Sequence, residues 1–160
     1  MITSKYVKLG FYPTPLHSLK RLSELYSDYN IYIKRDDQTG LAMGGNKARK
    51  LEYLVKDAIE KGCDSLITIG AAQSNHCRQT AAAAAQMGLK CHLLLRGAQP
   101  TESNGNLLLD KFFGAKIYWS ERDKESLTLE ALTEIVLQSG EKPYTIPIGG
   151  SNEIGCIGYA

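Results

Sequence analysis

At 160 residues, 43% of them apolar, the chain can bury the core of one soluble domain, and 19 Lys+Arg against 17 Asp+Glu leave a net charge of +2, without the basic excess that nucleic-acid binding demands. No apolar run approaches the ~20 residues of a membrane span and residues 1–10 hold no continuous apolar stretch, so a cytoplasmic protein with no membrane partner is expected. Cys63, Cys77, Cys91 and Cys156 form no C-x-x-C pair and no ligand spacing with the three histidines, so the expectation is reduced thiols and no metal site.

In chain order, Pro13-Thr14-Pro15-Leu16 should run extended, because a residue before proline is pushed out of the helical region. Leu19, Leu22, Leu25 and Tyr26 then mark a short helix and residues 31–35 a strand. Tyr6, Tyr12, Tyr26, Tyr29 and Tyr32 have no helical spacing and read as core or rim aromatics. A turn-rich stretch, Asp36-Asp37-Gln38-Thr39-Gly40, leads to Gly44-Gly45-Asn46-Lys47-Ala48-Arg49-Lys50, and behind it Leu51, Leu54, Val55, Ala58 and Ile59 form a helical stripe that closes at Gly62. Strands are predicted at 65–69, 91–95, 116–119 and 144–148, helices at 75–87, 107–113 and 127–137, with a polar link after residue 119 and the opening turns of another helix at 153–159. Strands separated by helices make βαβ units, so the fold class expected is α/β with a mostly parallel sheet and helices on both faces.

Two stretches carry chemistry. In the Gly44-Gly45-Asn46-Lys47 run the glycines allow close backbone approach, Asn46 is a good helix N-cap, and Lys47 falls in the first turn. A helix N-terminus disfavours an ammonium by ~0.3–1 kcal/mol, and Arg49 and Lys50 add like charge, so Lys47 should give up its proton more easily than a free lysine, as a nucleophilic amine must. A solvated basic first turn would have the same pattern. The second stretch, residues 67–76, is a strand that runs through a loop into a helix N-terminus. Such loops gather at the carboxyl ends of parallel strands, and the free amide groups there suit a carboxylate or phosphate. Ser74 or Asn75 would also serve simply as the cap. The glycines match neither a Walker loop nor a G-x-G-x-x-G fingerprint, and adjacent Asp36 and Asp37 point to opposite sides and make a poor acid/base pair.

Lys34-Arg35-Asp36-Asp37, Thr39-Gly40-Leu41-Ala42 and the run from Gly44 through Glu52 resemble the signature of the D-cysteine desulfhydrase and 1-aminocyclopropane-1-carboxylate deaminase family. These are pyridoxal 5'-phosphate (PLP) enzymes of the tryptophan-synthase-β-like fold. Gln73-Ser74-Asn75-His76, Arg78-Gln79-Thr80-Ala81-Ala82 and Pro147-Ile148-Gly149-Gly150-Ser151-Asn152 are similar to further family motifs, and Thr14-Pro15-Leu16 agrees with them. The resemblance implies that Lys47 forms the Schiff base with PLP and, once freed, removes the substrate's Cα proton. It also implies that Asn75 lies beside the cofactor and bonds its phenolic oxygen, and that Ser74 faces the substrate. The deaminase branch usually has Gln in place of His76 and a cysteine-containing stretch in place of Asp37-Gln38-Thr39, so D-cysteine desulfhydration to pyruvate, sulfide and ammonia is favoured over cyclopropane ring opening. His76 has no assigned role, and Gln73 and Arg78 look structural.

By the same resemblance, residues 1–45 are a lead-in belonging to the large cofactor domain, 46–148 a small α/β domain, and 149–160 the start of a return into the large domain. Family chains continue for roughly as many residues again, and the phosphate cradle, the pyridine-nitrogen partner and the substrate-choosing tyrosines lie there. The expectation is therefore a truncated chain that binds PLP weakly, turns over little, and uses a small amino acid as substrate, with a homodimer as the family's usual assembly. A non-catalytic anion- or nucleotide-binding module, or an assembly module, would use the same helix N-termini without needing Lys47.

Overall fold

The computed structural model describes residues 5–121 and 126–160. Within the lead-in, residues 16–34 form a small antiparallel unit, whereas Val7, Leu9 and Leu41 join the main core. Leu16–Ser18 (β1), left extended by the preceding prolines, pairs antiparallel with Tyr32–Lys34 (β2), and Lys20–Leu25 (α1) joins them. None of the residues of α1 is buried. Tyr26, Tyr29 and Tyr32 are exposed and lie at the surface, because among the described residues no third strand joins β1 and β2 to enclose them, and Tyr6, also exposed, rests its ring against that of Tyr53, centroids 5.6 Å apart. Tyr12 turns partly inward beneath the Arg49 guanidinium, 4.9 Å from its ring centroid.

After a 3-10 turn at Asp36–Gln38, the chain alternates Lys47–Glu60 (α2), Ser65–Ala71 (β3), Asn75–Met87 (α3), Lys90–Arg96 (β4), Gly105–Phe112 (α4), Lys116–Ser120 (β5), Leu129–Gln138 (α5) and Pro143–Ile146 (β6). The link after β5 includes residues 122–125, which lie outside the described residues. The strands form a parallel sheet in the order β5-β4-β3-β6. Alternation along each strand divides the core into two. Leu66, Leu93, Leu95 and Ile146 join Leu51, Leu54, Val55 and Ala58 of α2 and Ala81 and Ala84 of α3 on one face. Ile67 and Leu94 pack with Leu132 and Val136 of α5 on the other. Helices therefore cover both faces, and the apolar runs of β3 and β4 are continuous because neither face meets water.

The α2 stripe is fully enclosed at Leu51, Leu54, Val55 and Ala58, and each buried Leu or Val is worth ~1.5–3 kcal/mol. Alanines at 81–84 let α3 lie close to the sheet, and Gly88 ends the helix in the left-handed conformation with φ 70°. The last strand stops at Ile146 rather than 148, because Pro147 has no N–H for the ladder and Ile148–Gly150 turns as a 3-10 helix. Glu153–Cys156 (α6) and a 3-10 turn at Ile157–Tyr159 follow. From β3 the chain moves outward through β4 to β5, then returns to place β6 on the opposite edge of β3. The loops leaving β3 and β6 consequently diverge at the switch point of the sheet, where α/β folds bind ligands.

Candidate active site

Lys47 reaches this switch point on a contorted loop. Ala42, Met43, Gly44 and Gly45 have φ of 47°, 69°, 76° and 138°. Left-handed backbone costs a non-glycine residue ~1–2 kcal/mol, so Ala42 and Met43 stay there only because their neighbours are pinned. Gly45 N donates to Asp36 O and Thr39 Oγ1, both at 2.9 Å, and Gly44 N donates to Leu41 O at 2.9 Å. A Cβ on Gly44 would lie 1.8 Å from the carbonyl oxygen of Asp37, so the close approach read from the sequence is made to the chain's own backbone.

Asn46 occupies the cap position of α2 but makes no capping hydrogen bond, which corrects the sequence expectation. Its backbone is already helical, at φ −66° and ψ −18°, so its side chain points away from the first-turn amides. The Ala48 N–H donates instead to Gln79 Oε1 at 2.9 Å, from α3. Freed in this way, Asn46 Oδ1 accepts from Lys47 Nζ at 3.1 Å and from Asn75 Nδ2 at 3.2 Å. One carbonyl oxygen thus gathers the predicted lysine and the predicted asparagine.

Lys47 is half-buried, and its proton affinity is lowered by that burial first and by the Lys50 charge second. Arg49, expected to add like charge, faces the other way. Its guanidinium binds Asp36 through two 2.7 Å contacts and Thr14 Oγ1 at 3.1 Å, and it holds the Asp36 carboxyl below the usual range. Asp37 pairs separately with Arg35, so the two aspartates do not act together. Lys50 donates to Ser151 Oγ at 2.8 Å and to Gly149 O at 3.2 Å, which fastens the turn after β6 to α2. Gly149 sits beside Lys47, since a Cβ there would lie 3.7 Å from Lys47 Cε.

Ser74 is the cap of α3: its Oγ accepts from Cys77 N at 3.2 Å. Its hydroxyl proton is not used by that bond. Asn75 is the first residue of the helix. His76, left without a role by the sequence, lies 2% exposed beneath the lysines, with Nε2 2.9 Å from Thr68 Oγ1. Thr68 donates its only proton to Ile146 O at 2.9 Å, so Nε2 must carry the imidazole proton and Nδ1 is a bare acceptor. That Nδ1 is buried and has no hydrogen-bond partner. Burial, then the charges of Lys47 and Lys50, push the His76 pKa down to about 4, so the ring is neutral at physiological pH. The signal that could have found it is its place in the helix turn that faces β3 and β6, although nothing local specifies the Thr68 contact.

The four cysteines are free thiols, and among the described residues no cluster of three or more His, Cys, Asp or Glu is placed to hold a metal ion. No helix among them is long and apolar enough to cross a membrane.

Known proteins are similar to this chain in sequence and fold. The pyridoxal-phosphate dependent enzyme family matches residues 7–160. D-cysteine desulfhydrase of Klebsiella pneumoniae (strain 342) is 49% identical over 153 residues, which cover 92% of this chain and 46% of that protein. The same enzyme of Serratia proteamaculans (strain 568) is 48% identical over 153 residues, covering 91% of this chain and 46% of its own. A crystal structure described as an ACC deaminase homologue superposes with a TM-score of 0.84 at 43% identity, covering 98% of this chain and 48% of that one. The chain spans about half the length of the relatives it matches.

Proposed function

The chain belongs to the pyridoxal-phosphate dependent enzyme family, and from that premise we propose that it is the lysine-bearing part of a lyase for a small amino acid, D-cysteine above all. The observation that carries this reading is the convergence of Lys47 Nζ and Asn75 Nδ2 on Asn46 Oδ1 at the switch point of the sheet. The residues fit the cofactor: a half-buried amine of lowered proton affinity, an amide donor beside it, a second cation at Lys50, and the open N-terminus of a 13-residue helix for an anionic group. Bound PLP supplies an aldehyde for a lysine to hold and an electron-poor ring that acidifies an amino acid's Cα–H.

This chain's own residues would contribute as follows. Lys47 Nζ, its proton affinity lowered by burial and by Lys50, would be the nucleophile toward the aldehyde and, once free, the base toward the Cα proton. Asn75 Nδ2 exchanges Asn46 for an oxygen of the ligand. Ser74 Oγ, fixed as the α3 cap, would turn its hydroxyl toward the substrate, whose carboxylate would meet the first-turn amides of α3. The neutral His76 beneath keeps a third positive charge away from the lysines. D-cysteine treated in this way, with one water consumed in hydrolysing the C–N bond, would give pyruvate, sulfide and ammonia. We further propose that residues 46–148 act as the small domain, that 1–45 and 149–160 belong with a large domain, and that the enzyme works in the cytoplasm as a homodimer. A second reading, opening of a cyclopropane amino acid, draws support from the ACC deaminase homologue, with Ser74 as the participating hydroxyl.

The test is an absorbance spectrum of the chain after addition of PLP, beside the Lys47→Ala variant. A band at the edge of the visible that needs Lys47 is expected. Equal PLP affinity in both proteins, with no such band, would overturn the lyase reading in favour of a non-catalytic anion-binding module.

A further inference from the structure

Gln73 and Arg78 belong to a polar network that the proposed chemistry leaves unused. Gln73 Nε2 donates to Asn104 O at 3.2 Å and to Asn104 Oδ1 at 3.0 Å, and its Oε1 accepts from Asn106 N at 2.8 Å. Its backbone carbonyl accepts from Asn106 Nδ2, also at 2.8 Å. The loop after β3 is thereby joined to the start of α4. Asn106 Oδ1 then accepts from Arg78 Nη1 at 2.9 Å, and Arg78 Nη2 donates to Gly44 O at 2.7 Å. A single guanidinium connects α4 to the left-handed loop that delivers Lys47.

The third nitrogen of that guanidinium, Nε, is buried without a hydrogen-bond partner. Asp110, four residues after Asn106 and so on the same side of α4, is fully buried, and neither of its carboxylate oxygens is hydrogen-bonded. The two groups register each other's charge: Arg78 favours the ionised carboxyl, and Asp110 favours the charged guanidinium. The other titratable groups facing Asp110 are Cys77 of α3 and Cys91 of β4, whose thiols burial keeps neutral. Burial outweighs Arg78 and pushes the Asp110 pKa up to about 7, so this carboxyl changes charge near neutral pH.

We propose that Arg78 is a positioning residue for the Lys47 amine, latching the loop at 42–45, and that Asp110 is the buried counter-group that sets how firmly the latch closes. When Asp110 is protonated, the guanidinium is committed to Gly44 O and Asn106. When it ionises, the carboxylate draws Nε and competes with those contacts. The strained loop then loosens, and Lys47 leaves the half-buried position that lowers its proton affinity. The proposal rests on the reading of Lys47 as the reactive lysine.

The experiment uses the full chain without added cofactor. Acetylation by acetic anhydride is followed at Lys47 and at exposed Lys20 by mass spectrometry, as a function of pH. Arg78→Met should raise the Lys47 midpoint by about half a pH unit, about threefold in free amine below the midpoint, and leave Lys20 unchanged. Arg78→Lys keeps the charge but not the fork and should shift the midpoint in the same direction. The Met43 methyl resonance should move in a step near pH 7 that Asp110→Asn abolishes. An unchanged Lys47 midpoint in either folded Arg78 variant, or a Met43 step that survives in Asp110→Asn, overturns the proposal. A merely structural role for Arg78 would lower the melting temperature without moving the midpoint. No cofactor enters these readouts, so their failure leaves the PLP spectrum untouched, and a spectrum indifferent to Lys47 would leave the loop mechanics standing.

Discussion

Replacing Asp110 by Asn should expose a pH dependence of stability that the native chain conceals. In the fold the Asp110 carboxyl holds its proton up to about 7, whereas in the unfolded chain it releases it near 3.8. Between those values the folded state binds a proton that the unfolded state has lost, so Asp110 makes stability fall as pH rises. At about 1.4 kcal/mol per pH unit, the full window sets a ceiling of about 4 kcal/mol. His76 acts in the opposite sense. Its imidazole stays neutral down to about 4 in the fold but takes up a proton at 6.5 when unfolded, so its contribution is complete above 6.5 and is lost as pH falls to about 4. That is a ceiling of about 3 kcal/mol, and over the shared window the two slopes cancel. Asp110→Asn removes one of them. Its stability relative to the native chain should therefore climb with pH, by up to about 1.4 kcal/mol per unit, between about pH 4.5 and about pH 7. Urea titrations read by the fluorescence of Trp119, the single tryptophan, at a series of pH values give the difference directly. A difference that stays constant across the window would refute the assignment of a buried, protonated carboxyl at Asp110.

Gly44→Ala should cost about 2 kcal/mol or more, because a Cβ at φ 76° meets the Asp37 carbonyl at 1.8 Å, whereas Gly62→Ala, at φ 68° with nothing within 4 Å, should cost only about 1 kcal/mol. Thermal melts compare the two, and equal losses would show that the Lys47 loop is not locked against residue 37. The proposed homodimer predicts concentration-dependent mass in light scattering. Leu25→Ser with Tyr29→Ser, two lead-in residues 77% and 69% exposed, should shift it toward monomer. A monomer at all concentrations would remove the dimer from the reading.

Local signals in the sequence carried much of the architecture. The α3 helix runs over the residues predicted, because Ser74 supplies its cap and Gly88 its left-handed end, and both act within one turn of their own position. Lys47 opens α2 where the stripe behind it, committed to burial by its 3.6-residue period, begins, although no local side chain caps that end. The alternating strands and helices led to a parallel sheet with two covered faces, since β-branched and leucine-rich runs between amphipathic segments have few other ways to hide. The motifs around Lys47 and Ser74-Asn75 were legible as chemistry through resemblance.

Tertiary structure decided which groups meet. The three-residue strand Leu16–Ser18 is too short to carry a period, and only its pairing with Tyr32–Lys34 defines it. That Asn46 holds Asn75 beside Lys47, that Gln79 caps α2 from another helix, and that Arg49 turns to Asp36 depend on groups 29, 31 and 13 residues apart in the chain. The same holds for the neutral His76 and the protonated Asp110. Whether a buried polar group finds a partner depends on packing, because desolvation acts on the surroundings that the fold creates and not on the residue's neighbours in the chain.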